Sequence, residues 1–338
     1  MKTAIVEAGH WHAPSYFAAL KSAGHEASCW SESDPAARAR RQQEHPGKVY
    51  DDYRRMIDIE RPELILAFGV HDEMTQIAAD LVVMAVPFSM EKPMGLDPDA
   101  LEPVVRAAEQ KGAFAGADLV MRRHPIFARL GELRDAGELG KIKAWRFTLL
   151  AGGPYRYVDW GVEWMLQPER SGGPLFNFGP HGVDLFLWLC GEDGAEIVAA
   201  DAISDLHNVA IDDYVTFTVR TPRGAVGVFE VGYTMPQAVS QQGMCLMTDR
   251  LVATSSDGTN GEIVWREDER TEKIEGTPAR DSFVAETIER LQNGREPIVA
   301  LRAMLNTLRV LRAVGTRVGT RVTGENGSRV GQDARPTG

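Results

Sequence analysis

Between Thr3 and Ala117 the apolar positions follow two rhythms. Short unbroken runs at Thr3–Val6, Glu26–Trp30, Leu64–Phe68, Val86–Met90 and Ala113–Ala117 read as buried strands. Between them, Pro14–Ala23 and Met74–Met84 space their apolar residues as helices do. Asp34-Pro35 and Asp97-Pro98 each set a capping side chain before a proline at the first helical position, which starts helices at Pro35–Glu44 and Asp97–Lys111. Strands alternating with helices predict a parallel sheet covered on both faces, with right-handed crossovers.

The rhythm changes after Arg122. Ile142–Leu150 reads as a strand, Gly152–Arg170 as a loop rich in aromatics, and Leu175–Cys190 as an apolar helix stopped by Gly191. Strands then follow one another at Glu196–Ile203, Tyr214–Arg220, Ala225–Tyr233 and Gly243–Thr248, two of them joined by the turn Thr221-Pro222-Arg223-Gly224. Helices at Asp281–Leu291 and Ala300–Val314 come last. This order predicts an α+β unit on a large, mostly antiparallel sheet. The polar stretch Gly324–Gly338 predicts a disordered tail. The expected division is therefore residues 1–122, 123–323 and 324–338.

Composition narrows the class. A chain of 338 residues, 43% hydrophobic and 25% charged, is that of a folded pair of domains and not of a disordered segment. The longest apolar run, Leu81–Phe88, is too short to span a membrane, and the first residues lack a signal-peptide pattern. Cys29, Cys190 and Cys245 make no disulfide framework, which points to a reducing, cytoplasmic setting. The net charge of −11 argues against nucleic acid as a partner. From Leu301 onward seven arginines face only Glu325 and Asp333, so residues 1–300 carry −16. An anionic ligand of such a body must rely on helix N-termini and local cations.

A strand, a glycine loop and a helix together make a pyrophosphate site, because glycine lets the backbone approach and the helix start offers free N–H groups. Here Thr3–Val6 leads into Glu7-Ala8-Gly9-His10-Trp11-His12. Laid on G-x-G-x-x-G, only Gly9 survives; Glu7 and His12 hold the other two glycine positions. Glu32 lies 23 residues after Gly9 at the end of a strand, where a carboxylate accepts from ribose hydroxyls and repels a 2′-phosphate. That favours NAD over NADP. Arg38, Arg40 and Arg41 offer cations for a phosphate, or else form a solvated helix face. No ligand set completes His10-x-His12, so no metal is expected; His10 and Trp11 are read as lining the cofactor, with His12 beginning the helix.

Four motifs carry a more specific signal. Met90-Glu91-Lys92-Pro93-Met94 follows a strand directly; Arg122-Arg123-His124-Pro125 lies at the change of rhythm; Ser171-Gly172-Gly173-Pro174-Leu175-Phe176-Asn177-Phe178-Gly179-Pro180-His181-Gly182-Val183-Asp184 opens the apolar helix; and Asn293-Gly294-Arg295-Glu296-Pro297 follows the next-to-last helix. In this order and spacing they resemble the signatures of the glucose–fructose oxidoreductase / inositol dehydrogenase / rhizopine catabolism (Gfo/Idh/MocA) family. The resemblance implies an α/β Rossmann domain plus an α+β C-terminal domain whose sheet makes a homodimer or homotetramer. It implies NAD(P)-dependent hydride transfer at a hydroxyl carbon of a sugar, polyol or sugar acid. Lys92, His181 and Asn177 would be catalytic. Gly9, His10, Trp11, His12, Glu32, Gly69, Val70, His71, Glu91, Lys92 and Arg122 would hold the cofactor. Lys92, Asn177 and His181 would meet the substrate; in the loop Gly152–Arg170, Tyr155, Tyr157, Asp159, Trp160 and Trp164 suit the substrate too, or else make an interdomain or oligomer contact.

The chemistry suits these residue types. A lysine beyond the end of a parallel strand can stabilise charge on a reacting oxygen, and histidine titrates near the working pH of a proton acceptor. The chain departs from the family at Asn177, where the pattern has Asp. Asparagine at i−4 shares a helix face with His181 but carries no charge to raise its basicity. Asp184, at i+3, is either a substitute or a junction pairing residue. The departure leaves two further readings open: cofactor-dependent glycoside cleavage or elimination with transient redox, and a non-catalytic cofactor or sugar sensor.

Overall fold

A computed structural model describes residues 1–320; the segment 324–338, expected to be a tail, lies outside the described residues. The first unit runs β1 (Thr3–Val6), α1 (Ala13–Ser22), β2 (Ala27–Ser31), α2 (Pro35–Glu44), β3 (Lys48–Tyr50), α3 (Tyr53–Glu60), β4 (Leu64–Ala67), α4 (Met74–Val83), β5 (Phe88–Glu91), α5 (Pro98–Lys111) and β6 (Ala115–Asp118). Every residue of β1, β4, β5 and β6 is buried, as strands with helices on both faces must be. The strand order is β3-β2-β1-β4-β5-β6 and every pair is parallel. This is the doubly wound nucleotide-binding order, whose direction reverses between β1 and β4; ligands bind beyond the strand ends at that point.

The second unit runs α6 (Pro125–Asp135), β7 (Ile142–Gly152), the single turns α7 (Arg156–Asp159) and α8 (Pro168–Ser171), and α9 (Gly173–Cys190). Then come β8 (Glu196–Ile203), β9 (Tyr214–Arg220), β10 (Val226–Met235), β11 (Gln241–Thr248), β12 (Leu251–Ser255), β13 (Gly261–Trp265) and β14 (Thr271–Ile274), followed by α10 (Arg280–Gln292) and α11 (Leu301–Val318). The sheet order is β14-β13-β12-β11-β7-β10-β9-β8, antiparallel except for the β7–β10 pair. The pattern of the sequence anticipates both sheets but misses β3, α3, α6 and β12–β14. Those strands are short or mix charges such as Glu262, Glu272 and Lys273 with single apolar residues, so no clean alternation marks them.

Two features seat the site. Gly172 and Gly173, both at positive φ, turn the chain into α9, which an L side chain would resist. Farther along α9, Gly182 faces Phe147 on the central strand β7, where an added Cβ would lie 2.5 Å from the ring. The chain then returns to the first unit. In α10, Val284 and Ile288 share a core with Ile5, Tyr16 and Leu66, and the carbonyl of Val299 accepts from Ala117 N–H at 2.9 Å on the edge of β6. No described helix is long and apolar enough to cross a membrane.

Because Phe147 cannot withdraw from a close-packed core without opening a gap, Gly182→Ala should cost about 1–3 kcal/mol in urea unfolding. An unchanged midpoint would show that α9 shifts freely on the sheet.

Candidate active site

Lys92 follows β5 directly, so the strand's end delivers its side chain to the groove between the two units. It is 1% exposed. Its ammonium donates to both the backbone carbonyl and Oδ1 of Asn177 on α9, each at 2.7 Å. The amide of Asn177 is fixed from its other end: Nδ2 donates to the hydroxyls of Tyr157 and Tyr233, at 2.8 and 3.0 Å. One turn later on α9, His181 faces the same cavity, and its Nδ1 is buried without a hydrogen-bond partner among the described residues. Burial lowers the Lys92 ammonium to about 8, with neighbouring Glu91 opposing the shift. Burial, aided by the Lys92 charge, holds His181 well below the usual histidine value, so it is neutral at neutral pH.

The loop after β1 sets the floor. Glu7 stands where the fingerprint has its first glycine, and it takes the positive φ of 55° that a glycine would supply without strain. Gly9 N–H donates to the Glu32 carboxylate, which also accepts from Asp34 N–H at 2.9 Å. Glu7 Oε2 is bound by the Ser33 hydroxyl at 2.7 Å. Burial, reinforced by the adjacent Glu7, pushes Glu32 up to about 7. His12 is the N-cap residue of α1, as the sequence indicates, and its Nδ1 lies 3.2 Å from Glu91. Glu91 also accepts from Tyr16 at 3.2 Å. Burial acts to raise Glu91, but His12 and Lys92 hold it well below the ordinary carboxylate range.

Two openings meet at Gly9. The larger, about 640 Å³, holds Trp11, His12, Lys92, Asp159, Asn177 and His181. The smaller, about 380 Å³, holds Glu7, His10, Glu32, Gly69, Val70 and Trp164. An aromatic wall stands between them. Trp11 stacks on His10 at 3.8 Å and lies 5.5 Å from Trp164 and 5.3 Å from Tyr157; His71 lies 5.0 Å from Trp164. His71 Nδ1 donates to the Ser171 carbonyl at 2.8 Å, and burial lowers this ring to about 3.

The structure places four of the expected site residues away from the opening expected of them. Arg122 lines neither opening: it makes a two-pronged bond to Asp184 at 2.6 and 2.8 Å and lies over the Trp188 ring, so both charges are spent at the junction. Asp184 is therefore no substitute partner for His181. Tyr155 is 45% exposed, with its hydroxyl accepting from Asn208 N–H at 3.2 Å, and it does not line the larger cavity. Glu91 lies behind Lys92 and lines neither opening. Trp164 faces the smaller opening instead of the larger one. Sequence reasoning missed Tyr233, whose only signal is its inward register on β10. It also missed the burial of Arg41, which donates to the Ala8 carbonyl at 2.8 Å and braces the glycine loop from below.

The residues suit a dinucleotide in part. The smaller opening offers two carboxylates for ribose hydroxyls and a backbone approach at Gly69, and His10 Nε2 and His71 Nε2 are buried without hydrogen-bond partners among the described residues. Gly9 N–H, the donor a pyrophosphate would take, is already engaged by Glu32; Glu32 turning to a ribose diol would release it.

Residues 127–259 match the GFO/IDH/MocA C-terminal domain. The chain is 24% identical over 139 residues to mouse (Mus musculus) trans-1,2-dihydrobenzene-1,2-diol dehydrogenase, covering 41% of this chain and 39% of that protein. It is 27% identical over 164 residues to myo-inositol dehydrogenase Hyg17 of Streptomyces leeuwenhoekii, covering 48% of each. The matched part is thus less than half the length of these relatives. In fold, it superimposes on levoglucosan dehydrogenase in complex with NADH and levoglucosan with a TM-score of 0.81 at 15% identity, covering 94% of this chain and 97% of that one.

A carboxylate at position 177 would favour the charged form of Lys92. In carbon-labelled lysine NMR, one lysine should titrate near pH 8, vanish in Lys92→Met and move upward in Asn177→Asp. A Lys92 signal at the ordinary lysine value would remove its burial from the account.

Proposed function

Starting from a chain that carries the Gfo/Idh/MocA C-terminal domain beside a doubly wound parallel sheet, we propose that the protein is a nicotinamide-dependent dehydrogenase or reductase. Its substrate is a sugar, polyol or sugar acid with a reacting hydroxyl carbon. The observation that carries the reading is the Lys92–Asn177–His181 grouping at the end of β5 inside a cavity of ligand size. Relatives named as dehydrogenases of diols and inositol, and a neighbour of the same fold bound to NADH, support it.

In this reading NAD supplies the hydride acceptor. Gly9, Glu7, Glu32, Gly69 and Val70 would hold its adenosine half, with His10, Trp11, His12 and His71 along the path to Lys92. The ammonium of Lys92 donates to the substrate oxygen and stabilises charge that grows there. Neutral His181 takes the hydroxyl proton. Once protonated, His181 is buried and faces the Lys92 charge, which Glu91 opposes without prevailing, so it passes the proton on readily. Asn177 touches Lys92 and both tyrosines, and so orients the donor without adding charge. Asp159 and the aromatic faces of Trp11 and Tyr157 suit a hydroxylated ring. Assembly as a homodimer or homotetramer through the eight-stranded sheet belongs to the same reading, and sedimentation velocity checks it.

NADH titrated by fluorescence should bind, and Glu32→Gln should weaken it by about tenfold while narrowing its preference over NADPH. Absence of any nucleotide binding would sink the proposal. In a sugar and polyol screen followed at the reduced-nicotinamide absorbance, Lys92→Ala and His181→Ala should each lower turnover by about 10²–10⁴ while NADH still binds. Carbonyl reduction should also fall as the pH rises through about 8, where Lys92 loses its proton. A rate flat across that range would exclude the ammonium from the chemistry.

A further inference from the structure

The larger cavity is positively charged in a chain of net charge −11. Its lining carries Arg40, Arg41, Lys92 and Arg156 against Glu44 and Asp159. Arg41 and Glu44 pair with each other. Lys92 is committed to Asn177 and the reacting oxygen. Arg40 and Arg156 remain, and neither makes an ion pair among the described residues. The smaller opening has the opposite balance, with Glu7, Glu32, Asp34 and Glu73 against Arg170 alone.

Both arginines are held in place yet left short of acceptors. Arg40 reaches from α2 to the loop of the second unit, where a Cβ on Gly161 would lie 2.5 Å from its Nη1. Its Nη2 is buried without a hydrogen-bond partner among the described residues, as is Nε of Arg156. The Arg156 guanidinium lies 5.1 Å from the Tyr157 ring centre and 5.7 Å from those of Trp160 and Tyr233. Tyr157 and Tyr233 are the two hydroxyls that fix Asn177, so Arg156 adjoins the reacting group through shared rings. Buried donors without acceptors are costly, and a planar guanidinium fork matches a carboxylate or a phosphate.

We propose that Arg40 and Arg156 form an anion subsite, which binds a carboxylate or phosphate on the same sugar-like substrate whose hydroxyl carbon sits at Lys92 and His181. The proposal rests on the oxidoreductase reading above and narrows its substrate to an acidic sugar. One arginine comes from each unit, so the anion would also bridge them. Asp159 lines the same cavity and repels an anion, so the two arginines are the lining groups an anion would take as partners.

The test is a set of matched probes on the full chain, with and without NADH: glucose, galactose and mannose, the uronate of each, and the phosphate monoester of each. Binding is followed by calorimetry. In at least one series the charged member should bind about tenfold or more tightly than its neutral parent. Whether the uronate or the phosphate wins identifies the group. Arg156→Gln and Arg40→Gln should each bring charged and neutral members close to parity with NADH affinity unchanged, and Arg156→Lys should keep part of the preference. Circular dichroism melts separate this from misfolding. If no charged probe is preferred in any series, the subsite is overturned. It is equally overturned if the glutamine variants weaken NADH and leave the preference intact, because the arginines then serve the cofactor. If NADH itself does not bind, the dehydrogenase reading fails, while a preference for charged probes that depends on Arg156 would still establish the anion subsite.

Discussion

The contact on which the site depends is the pair of hydrogen bonds from the buried Lys92 ammonium to Asn177. One partner directly follows a strand of the parallel sheet; the other lies in the first turns of α9, which packs on the second sheet. An ammonium so deeply buried needs acceptors, and both of those it has belong to one residue of the other unit. The two units are thus held in register at the point where chemistry would occur. The Arg122–Asp184 pair and the return of α10 onto α1 hold the same junction from other sides.

Asparagine in place of a carboxylate makes that contact chemically different. A buried aspartate would pair with Lys92 and keep it charged over the whole working range. The neutral amide leaves burial to dominate, and the lysine sits at about 8. At His181 burial and the Lys92 charge likewise dominate, with Glu91 opposing them. Lys92 is thereby poised near the pH at which it exchanges its proton, whereas burial keeps His181 neutral.

Charge is also partitioned between the two openings that meet at Gly9. Carboxylates crowd the smaller opening, where Glu7 raises Glu32 and is itself raised by burial and by Glu73, and arginines line the larger one. Trp11, His10 and Trp164 form the wall between. The whole-chain charge describes neither opening, because fields at these distances are set by the few groups that line each one.

Much of this was legible in the sequence. Unbroken apolar runs marked the parallel strands, since a strand covered on both faces leaves no polar alternation. Asp-Pro pairs marked helix starts. Lys92 and His181 stand out in the sequence because their motifs resemble the family's signatures; the strand end and the helix face agree with that resemblance but do not by themselves mark the two residues. Local pattern was insufficient where a residue's role depends on a partner far along the chain. Arg122 looked like a cofactor contact until Asp184, 62 residues later, met it. Arg41 looked solvated until the glycine-loop carbonyls were found above it. Tyr233 carried no mark at all, and becomes part of the site only because β10 lies beside β7 and turns it towards Asn177. The sequence by itself determined which segments could be strands and helices and which residue types could do the chemistry, because those follow from short-range periodicity and side-chain character. Which charges neutralise one another, and which are left facing a cavity, only the tertiary structure decided, because desolvation and pairing depend on distances that no local spacing encodes.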